Sequence, residues 1–419
     1  MLARWMLLLL TLVGLVAGFP VLAELSEPLD LPELEELPDV SARPPAAPPP
    51  PEPPLWLLGQ LPPEARADDV PPPAGLQVHY TVDPALDAHA RRVLDEGRVA
   101  LGNVIVMDAR SGALLSYVST DPTSFPGTRI YPTASLMKVV TAAAVLRNSP
   151  EAAERDCRYA GSPYRVGAAQ LKPPREGGRI DSFWRALAIS NNQCFARLAV
   201  NFVGKDALVE EMGRVGLLEP PGAGHTPGRV EPIDGDLALG HLGSGLSGSF
   251  ISPLAAVRLA AVLAEGKLVQ PHWVAGIRDA EGRPLPLPEP PAARRVWPPE
   301  LAAELRELMV GVVAKGTAKS AFRDTRGRPL LGDVRVAGKT GSLSGTNPKG
   351  RYEWFIGVAP AEAPTVAIAT VVVSGSVWWR NASQVSALVL KEVFCEAGRC
   401  RAENAERRLA AARAVPPGV

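Results

Sequence analysis

Histidine and lysine are both scarce in this chain, which has five histidines and only nine lysines among its 419 residues. The histidines fall outside every short motif described below, and we treat them as structural: His79, His89, His225, His241 and His272. The sequence therefore offers no obvious histidine base of the kind that activates the nucleophile in many hydrolases. Two of the nine lysines, Lys138 and Lys339, do lie within such motifs.

Surplus charge, internal repeats and zinc-ligand spacings are also lacking. The 44 basic residues balance the 44 acidic ones, so nothing indicates a nucleic acid or another polyanion as partner. No Cys-x-x-Cys or His-x-x-His spacing is present. We therefore expect no zinc site and no other cofactor.

The first 23 residues have the pattern of a targeting segment. Arg4 precedes an apolar stretch from Trp5 to Ala23, and Val21-Leu22-Ala23 places small residues before Glu24. This pattern predicts either a cleaved signal peptide or an uncleaved anchor, and both would export the rest of the chain. We expect a periplasmic or otherwise extracytoplasmic protein, either secreted or anchored to the inner membrane.

Residues 24–75 form an acidic, proline-rich linker. They contain runs of proline at 48–51 and 71–73, and their acidic residues far outnumber Arg43 and Arg66. Such a segment buries too little apolar area to offset its ordering entropy. We predict an extended tether before the folded part of the chain.

The four cysteines favour disulfides, because their number is even and the chain carries an export signal. Cys395 and Cys400 are close in sequence and form the favoured pair, which leaves Cys157 to pair with Cys194 by elimination. Buried free thiols are the alternative.

Residues 76–400 have the periodicities of a folded domain, and residues 401–419 are predicted to be a charged tail. The pattern predicts a helix at 83–97, a β-hairpin at 103–118, a helix at 133–146, mainly helical structure to about residue 330, strands at 333–342, 352–358 and 365–374, and a helix at 384–394. This order predicts an α+β fold in which helices and a helical subdomain flank an antiparallel β-sheet.

The first motif is Ser135-Leu-Met-Lys138, at the start of a predicted helix. Residues at i and i+3 lie on the same helical face, so the amine of Lys138 can reach the hydroxyl of Ser135. A lysine can take a proton from a serine only if burial or a nearby positive charge lowers its pKa. Lys339 is the candidate for that charge, and the alternative is a chance pair on a solvated face.

Two further motifs follow, Ser190-Asn-Asn192 and Lys339-Thr-Gly-Ser342. Ser190 and Asn192 can relay a proton and bind an amide, although the segment alone is more typical of a helix N-cap. Gly341 would let a ligand backbone approach the strand closely. The hydroxyls of Thr340 and Ser342 and the positive charge of Lys339 could bind a substrate carboxylate. The alternative is a strand end with an exposed lysine.

The three motifs in this order resemble the penicillin-binding protein and serine β-lactamase superfamily, most closely its transpeptidase domains. The flanking segments Gly243-Ser-Gly245, Ser252-Pro-Leu-Ala255, Gly316-Thr-Ala318 and Trp354-Phe-Ile-Gly357 are also similar to the family pattern. The similarity covers about residues 80–395. It implies peptidoglycan stem peptides ending in D-Ala-D-Ala and β-lactams as ligands, and cell-wall synthesis machinery as a partner.

The resemblance implies a role for each motif residue. Ser135 would be the nucleophile, Lys138 its base, and Ser190 a relay to the leaving group. Asn192 would bind the stem-peptide amide, while Lys339, Thr340 and Ser342 would bind the terminal carboxylate. The backbone N–H groups of Ser135 and Ser342 would form an oxyanion hole.

The chain also departs from the family pattern. It has no Glu-x-x-Leu-Asn segment, and Glu231 does not match it, which argues against fast β-lactam hydrolysis. We expect a D,D-transpeptidase. The alternatives are a D,D-carboxypeptidase or weak serine β-lactamase, and a sensor or cell-wall scaffold without turnover, against which the intact motif residues argue.

Overall fold

The structure, a computed structural model, describes residues 75–222, 225–287, 290–374 and 379–413. The predicted targeting segment at 1–23 lies outside these residues, as does the predicted linker except for Gly75. None of the helices in these ranges is both long and apolar enough to cross a membrane.

The secondary structure of the described residues alternates short strands with helices. The α-helices are α1 (Pro84–Glu96), α2 (Met137–Asn148), α3 (Phe183–Ala188), α4 (Asn192–Leu198), α5 (Lys205–Arg214), α6 (Gly235–Ser244), α7 (Pro253–Glu265), α8 (Pro299–Ala314), α9 (Ala382–Phe394) and α10 (Ala402–Arg413). The strands are β1 (Leu76–Tyr80), β2 (Leu101–Asp108), β3 (Leu114–Ser119), β4 (Tyr131–Pro132), β5 (Cys157–Tyr159), β6 (Arg179–Asp181), β7 (Arg229–Val230), β8 (Ser249–Ile251), β9 (Lys267–Leu268), β10 (Val274–Asp279), β11 (Pro284–Leu285), β12 (Arg294–Arg295), β13 (Ala337–Thr346), β14 (Lys349–Ala359), β15 (Val366–Ser374), β16 (Cys395–Glu396) and β17 (Arg399–Cys400).

A five-stranded antiparallel sheet in the order β13-β14-β15-β2-β3 organises the fold. β13 lies at one edge of this sheet, so one side of its backbone is open to other groups. The predicted hairpin and the three predicted returning strands all belong to this sheet. The predicted α+β class is confirmed.

Apolar side chains cover both faces of the sheet. Ile105 and Met107 of β2 pack into the cluster that contains α2 and α7. Val104 and Val106 point the other way, into the cluster with α1, α9 and α10. Alternation along a strand sends successive side chains to opposite faces, and because both faces are covered, β2 reads as a continuous apolar run.

The helices α2 and α7 lie deep in the first of these clusters. Every residue from Met137 to Val145 in α2 and from Pro253 to Ala264 in α7 is buried. A helix that is apolar all round is typical of such a central position. The N-terminus of α7 is capped by Ser252, whose side chain accepts from the Ala255 N–H, with Pro253 in the first turn.

The structure differs from the predicted pattern in two places. The region predicted as mainly helical also contains the strands β5 to β12, of which β10 pairs with β1 and β11 in a three-stranded sheet. The segment predicted as a charged tail contains α10. Ala405 and Leu409 of α10 are buried against α9, and Arg408 forms an ion pair with Asp83. One apolar pair spaced at i and i+4 suffices to dock this short helix, although its other residues are mostly charged.

Both expected disulfides are present, and no cysteine in the structure is free. Cys395–Cys400 joins the short paired strands β16 and β17. Cys157–Cys194 joins β5 to α4 with a Cα–Cα distance of 5.8 Å. The second bridge connects two elements that flank the site described next.

Candidate active site

Ser135 lies in a tight turn immediately before α2. Residues Ala134–Leu136 form a 3₁₀ turn, and Ala134 has a positive φ of 52°. Such a backbone conformation is costly for a residue with a Cβ and is common at functional sites. Ser135 is partly exposed, whereas Ala134 and Leu136 on either side of it are buried. The turn therefore presents one hydroxyl at the surface of an otherwise apolar segment.

Lys138 is fully buried and its amine lies beside this hydroxyl. The Nζ atom is 2.8 Å from Ser135 Oγ and 2.6 Å from Asn192 Oδ1, and it also donates to the backbone carbonyl of Ser244. The contact predicted from the i, i+3 spacing is present. The solvated-face alternative is excluded, because Lys138 has no exposed surface.

These three contacts match the three N–H donors of a charged lysine, and they also accommodate a neutral one. A neutral amine has two N–H donors and one lone pair, and the Asn192 and Ser244 oxygens can accept only N–H groups. The lone pair is then left to accept the proton of the Ser135 hydroxyl. Burial lowers the pKa of Lys138 well below its usual value, and the charge of Lys339 lowers it further. Lys138 is thus placed and poised as a base for Ser135.

In the Ser190-Asn-Asn192 segment, one residue caps a helix and the other two face the site. Asn191 is the N-cap of α4, since its side chain accepts from the Cys194 N–H. Ser190, at a positive φ of 59°, and Asn192 are turned to the site. Asn192 Nδ2 also donates to the Tyr164 carbonyl at 2.8 Å. The helix-cap interpretation therefore applies to Asn191 alone.

Lys339 on the edge strand β13 is fully buried, so the alternative of an exposed lysine at a strand end is wrong. Its Nζ atom donates to Ser190 Oγ at 3.0 Å and to the Thr340 carbonyl at 2.8 Å. Burial lowers the pKa of Lys339 to about 7. The amine of Lys339 therefore lies on Ser190.

Two glycines allow the elements of the site to meet. A Cβ atom placed on Gly341 would lie 3.2 Å from the Ala134 Cβ and 3.4 Å from the Ser135 nitrogen. On Gly245, which has a φ of 72°, it would lie 2.0 Å from the Ala134 carbonyl oxygen. The Ala134–Ser135 turn thus approaches Gly341 closely. Gly341 also lines the cleft described next, and the close approach of a ligand stays a prediction.

A cleft of about 600 Å³ opens beside these residues along β13. Within it the Thr340 and Thr317 hydroxyls form a hydrogen bond of 2.6 Å, and Ser342 Oγ accepts from Arg351 Nε at 2.7 Å. Tyr164 lines the opening and is 52% exposed. Hydroxyl and guanidinium groups of this kind can bind a carboxylate.

Sequence reasoning missed several of these groups. Thr317, Tyr164 and Arg351 line the cleft, and the carbonyl of Ser244 binds Lys138. Thr317 and Ser244 lie within flanking segments that are similar to the family pattern, but the sequence assigned them no role. No sequence pattern pointed to Tyr164 or Arg351. Glu231 is paired with Arg229 at 3.8 Å and does not line the cleft as described. No cluster of three or more His, Cys, Asp or Glu suited to a metal occurs in the described part of the chain.

Comparison with known proteins decides the family. The family model for the penicillin binding protein transpeptidase domain matches residues 102–394. The chain belongs to this family. The match includes all three motifs and excludes the predicted targeting segment, the linker and α10.

Curated relatives of this transpeptidase domain include the peptidoglycan D,D-transpeptidase PbpA of Mycobacterium tuberculosis. It is 31% identical over 259 residues, which cover 59% of this chain and 50% of the relative. Stage V sporulation protein D of Bacillus subtilis is 26% identical over 351 residues, 74% of this chain and 51% of the relative. The chain spans about half the length of these relatives.

Solved structures show the same fold. The crystal structure of PBPA from Mycobacterium tuberculosis has a TM-score of 0.63 at 24% identity, covering 76% of this chain and 82% of that one. Its penicillin G acyl-enzyme complex has a TM-score of 0.59 at 24% identity and covers 83% of each chain.

Proposed function

We propose that this protein is a serine-type peptidoglycan D,D-transpeptidase that acts outside the cytoplasm and is inhibited by β-lactams. The observation that carries the proposal is the buried Lys138 amine, which is held by the Asn192 and Ser244 oxygens and lies 2.8 Å from the partly exposed Ser135 hydroxyl. Family membership and the similarity to PbpA support it. Residues 1–23 would export the domain and could retain it at the inner membrane beside the cell-wall synthesis machinery.

The first half-reaction would form an acyl-enzyme. Lys138 takes the proton from Ser135 Oγ as this oxygen attacks the carbonyl between the two D-alanines of the donor stem peptide. The N–H groups of Ser135 and Ser342 receive the negative charge that develops on the carbonyl oxygen, and one such donor contributes about 3–4 kcal/mol to the transition state. The C–N bond then breaks, and the proton passes to the departing D-alanine amine through Ser190, which Lys339 holds.

The second half-reaction would transfer the acyl group to an amine of another stem peptide. The acceptor amine attacks the acyl carbonyl and loses one proton to Lys138. The ester bond between this carbon and Ser135 Oγ then breaks, and Lys138 returns the proton to Ser135 Oγ. Attack by water instead would give a D,D-carboxypeptidase. Glu231 lies on a surface ion pair and does not line the cleft, so the residue that family β-lactamases use to activate water has no counterpart at Glu231. A β-lactam would accordingly remain on Ser135.

The terminal carboxylate of the donor would bind along β13. The Thr340 and Thr317 hydroxyls and Ser342 with its Arg351 partner face the cleft together. Gly341 keeps this strand close to Ser135. Lys339, whose amine donates to Ser190, would contribute positive charge to this part of the cleft.

A donor peptide ending in D-Ala-D-Ala, incubated with and without an acceptor amine, tests the proposal. We expect release of D-alanine together with a cross-linked product that requires the acceptor. Ser135→Ala should abolish both, whereas the exposed Ser320→Ala should retain them. Release of D-alanine without any cross-linked product would instead support the carboxypeptidase.

A further inference from the structure

A second cavity of about 580 Å³, which we call the side groove, opens next to the cleft. Its lining includes Tyr159, Tyr164, Arg179, Ile180, Asp181 and Arg185. Tyr164 lines both the cleft and the side groove. The two cavities therefore share Tyr164 as a lining residue.

The wall of the side groove is fastened to the helix that carries Asn192. The Cys157–Cys194 disulfide joins β5 to α4. Gln193 Nε2 donates to the Ala160 and Ser162 carbonyls, both at 2.8 Å, and the Asn192 N–H donates to the Pro163 carbonyl at 2.8 Å. A ligand in the side groove would thus contact a wall of fixed position relative to the catalytic groups.

The side groove offers cations and apolar surface. Arg179 and Arg185 are exposed, and Arg185 forms no ion pair with any residue that the structure describes. Asp181 also lines the side groove, but it is only 7% exposed and is hydrogen-bonded to Asn191 Nδ2 at 3.0 Å and to the Tyr159 side chain. Tyr164 and Ile180 are 52% and 51% exposed, and among the large apolar side chains that the structure describes only Trp379 is more exposed, at 60%.

The position of Asn192 gives the direction in which a donor would leave the cleft. Under the proposed function, Asn192 binds the amide on the acyl side of the scissile bond. Asn192 Nδ2 donates to the backbone carbonyl of Tyr164, and Tyr164 lines both cavities, so donor residues that run from Asn192 along Tyr164 would enter the side groove. We propose that the side groove binds a carboxylate on these preceding residues, with Arg185 as the main contact and Tyr164 packing on the peptide. This inference rests on the proposed function.

Two donors that differ in one group test it. Both are N-acetyl-γ-D-glutamyl-Nε-acetyl-lysyl-D-Ala-D-Ala, one with a free glutamyl α-carboxylate and the other with the α-carboxamide. We expect wild-type kcat/KM for D-alanine release to favour the carboxylate about fivefold, the upper end for an exposed ion pair. The preference should shrink as salt is raised.

Variants of the side groove should change this preference. Arg185→Gln should reduce it to about one, Arg185→Lys should retain part of it, and Arg179→Gln provides a second lining position if Arg185→Gln fails to fold. Arg175→Gln, at an exposed arginine outside the groove lining, should retain it fully. An equal rate with both donors in wild type, or a preference that survives Arg185→Gln, would overturn the assignment.

Failure of the proposed function would look different. In that case wild type would release D-alanine from neither donor and would form no penicillin adduct on Ser135. If wild type turns over both donors at the same rate and forms a penicillin adduct, the proposed function is retained and only the carboxylate assignment of the side groove is rejected.

Discussion

Replacing Gly245 with alanine should disable the nucleophile without unfolding the protein. Gly245 ends α6 in the left-handed conformation at a φ of 72°. An added Cβ would lie 2.0 Å from the Ala134 carbonyl oxygen, whereas ordinary contact begins at 3.4 Å. Either the Ala134–Ser135 turn or the end of α6 must therefore move by about 1.4 Å.

Both movements disturb the same hydrogen bonds. A shift of the turn changes the 2.8 Å contact between Ser135 Oγ and Lys138 Nζ. A shift of α6 moves the neighbouring Ser244 carbonyl, which also binds Lys138. Misplacement of reacting groups by about 1 Å costs on the order of 100-fold in rate. We expect the second-order rate constant for acylation by a fluorescent penicillin to fall about 100-fold.

Gly235→Ala is the matched control at the other end of the same helix. Gly235 has a φ of 79° but no heavy atom within 4 Å of an added Cβ. Gly235→Ala should lose about 1–2 kcal/mol of unfolding free energy, because it places a side chain at positive φ. Gly245→Ala should lose more, because its Cβ also overlaps the Ala134 carbonyl oxygen. Only Gly245→Ala should lose acylation. If it labels at the wild-type rate, or if Gly235→Ala loses labelling equally, the argument from close approach is wrong.

Three further predictions concern the buried amines and the disulfides. Between pH 7 and 10.5 the unfolded chain binds a proton on Lys339 that the folded chain has lost, so wild-type stability rises with pH. We expect the unfolding free energy of wild type, measured with urea, to increase relative to that of Lys339→Met over this pH range. A decrease relative to the variant would contradict the lowered pKa of Lys339. The rate of acylation should rise with pH through the pKa of Lys138. Lys339→Met should move that rise to higher pH, because the positive charge that lowers the pKa of Lys138 is gone. A pH profile that does not move would show that Lys339 has no effect on the pKa of Lys138. Removing the Cys157–Cys194 disulfide, which has a sequence separation of 37, should lower the unfolding free energy by about 4 kcal/mol. Removing Cys395–Cys400, with a separation of 5, should lower it by about 2 kcal/mol, because a shorter loop restricts the unfolded chain less. Equal losses in chemical unfolding would exclude loop entropy as the explanation.

The parts of the site that are local in sequence were predictable. Ser135 and Lys138 are three residues apart on one helical turn, so their contact follows from helix geometry. The edge strand with Lys339 follows from its β-rich neighbours and its glycines. The sheet strands were also predictable, because their apolar runs are long and bounded by turns.

The remaining features depend on packing between distant segments. Ser190 and Lys339 are 149 residues apart, and the oxygen that completes the Lys138 site is a backbone carbonyl, which has no side-chain signature. The pairing of β1 with β10 likewise joins two short strands far apart in sequence. The motif predicted Lys339 as a ligand of a substrate carboxylate, which stays a prediction; its contact with Ser190 could not be read from the motif.

The central claim is that Lys138 activates Ser135, and peptide mapping of a penicillin-treated sample tests it most directly. The protein, treated with penicillin G at neutral pH, is digested and the adduct located by mass spectrometry. The account predicts one penicilloyl group on Ser135 in wild type and its near-complete loss in Lys138→Ala, with Lys319→Ala, at an exposed lysine, as the control that keeps it. An adduct on another residue, or undiminished labelling of Lys138→Ala, would contradict the account.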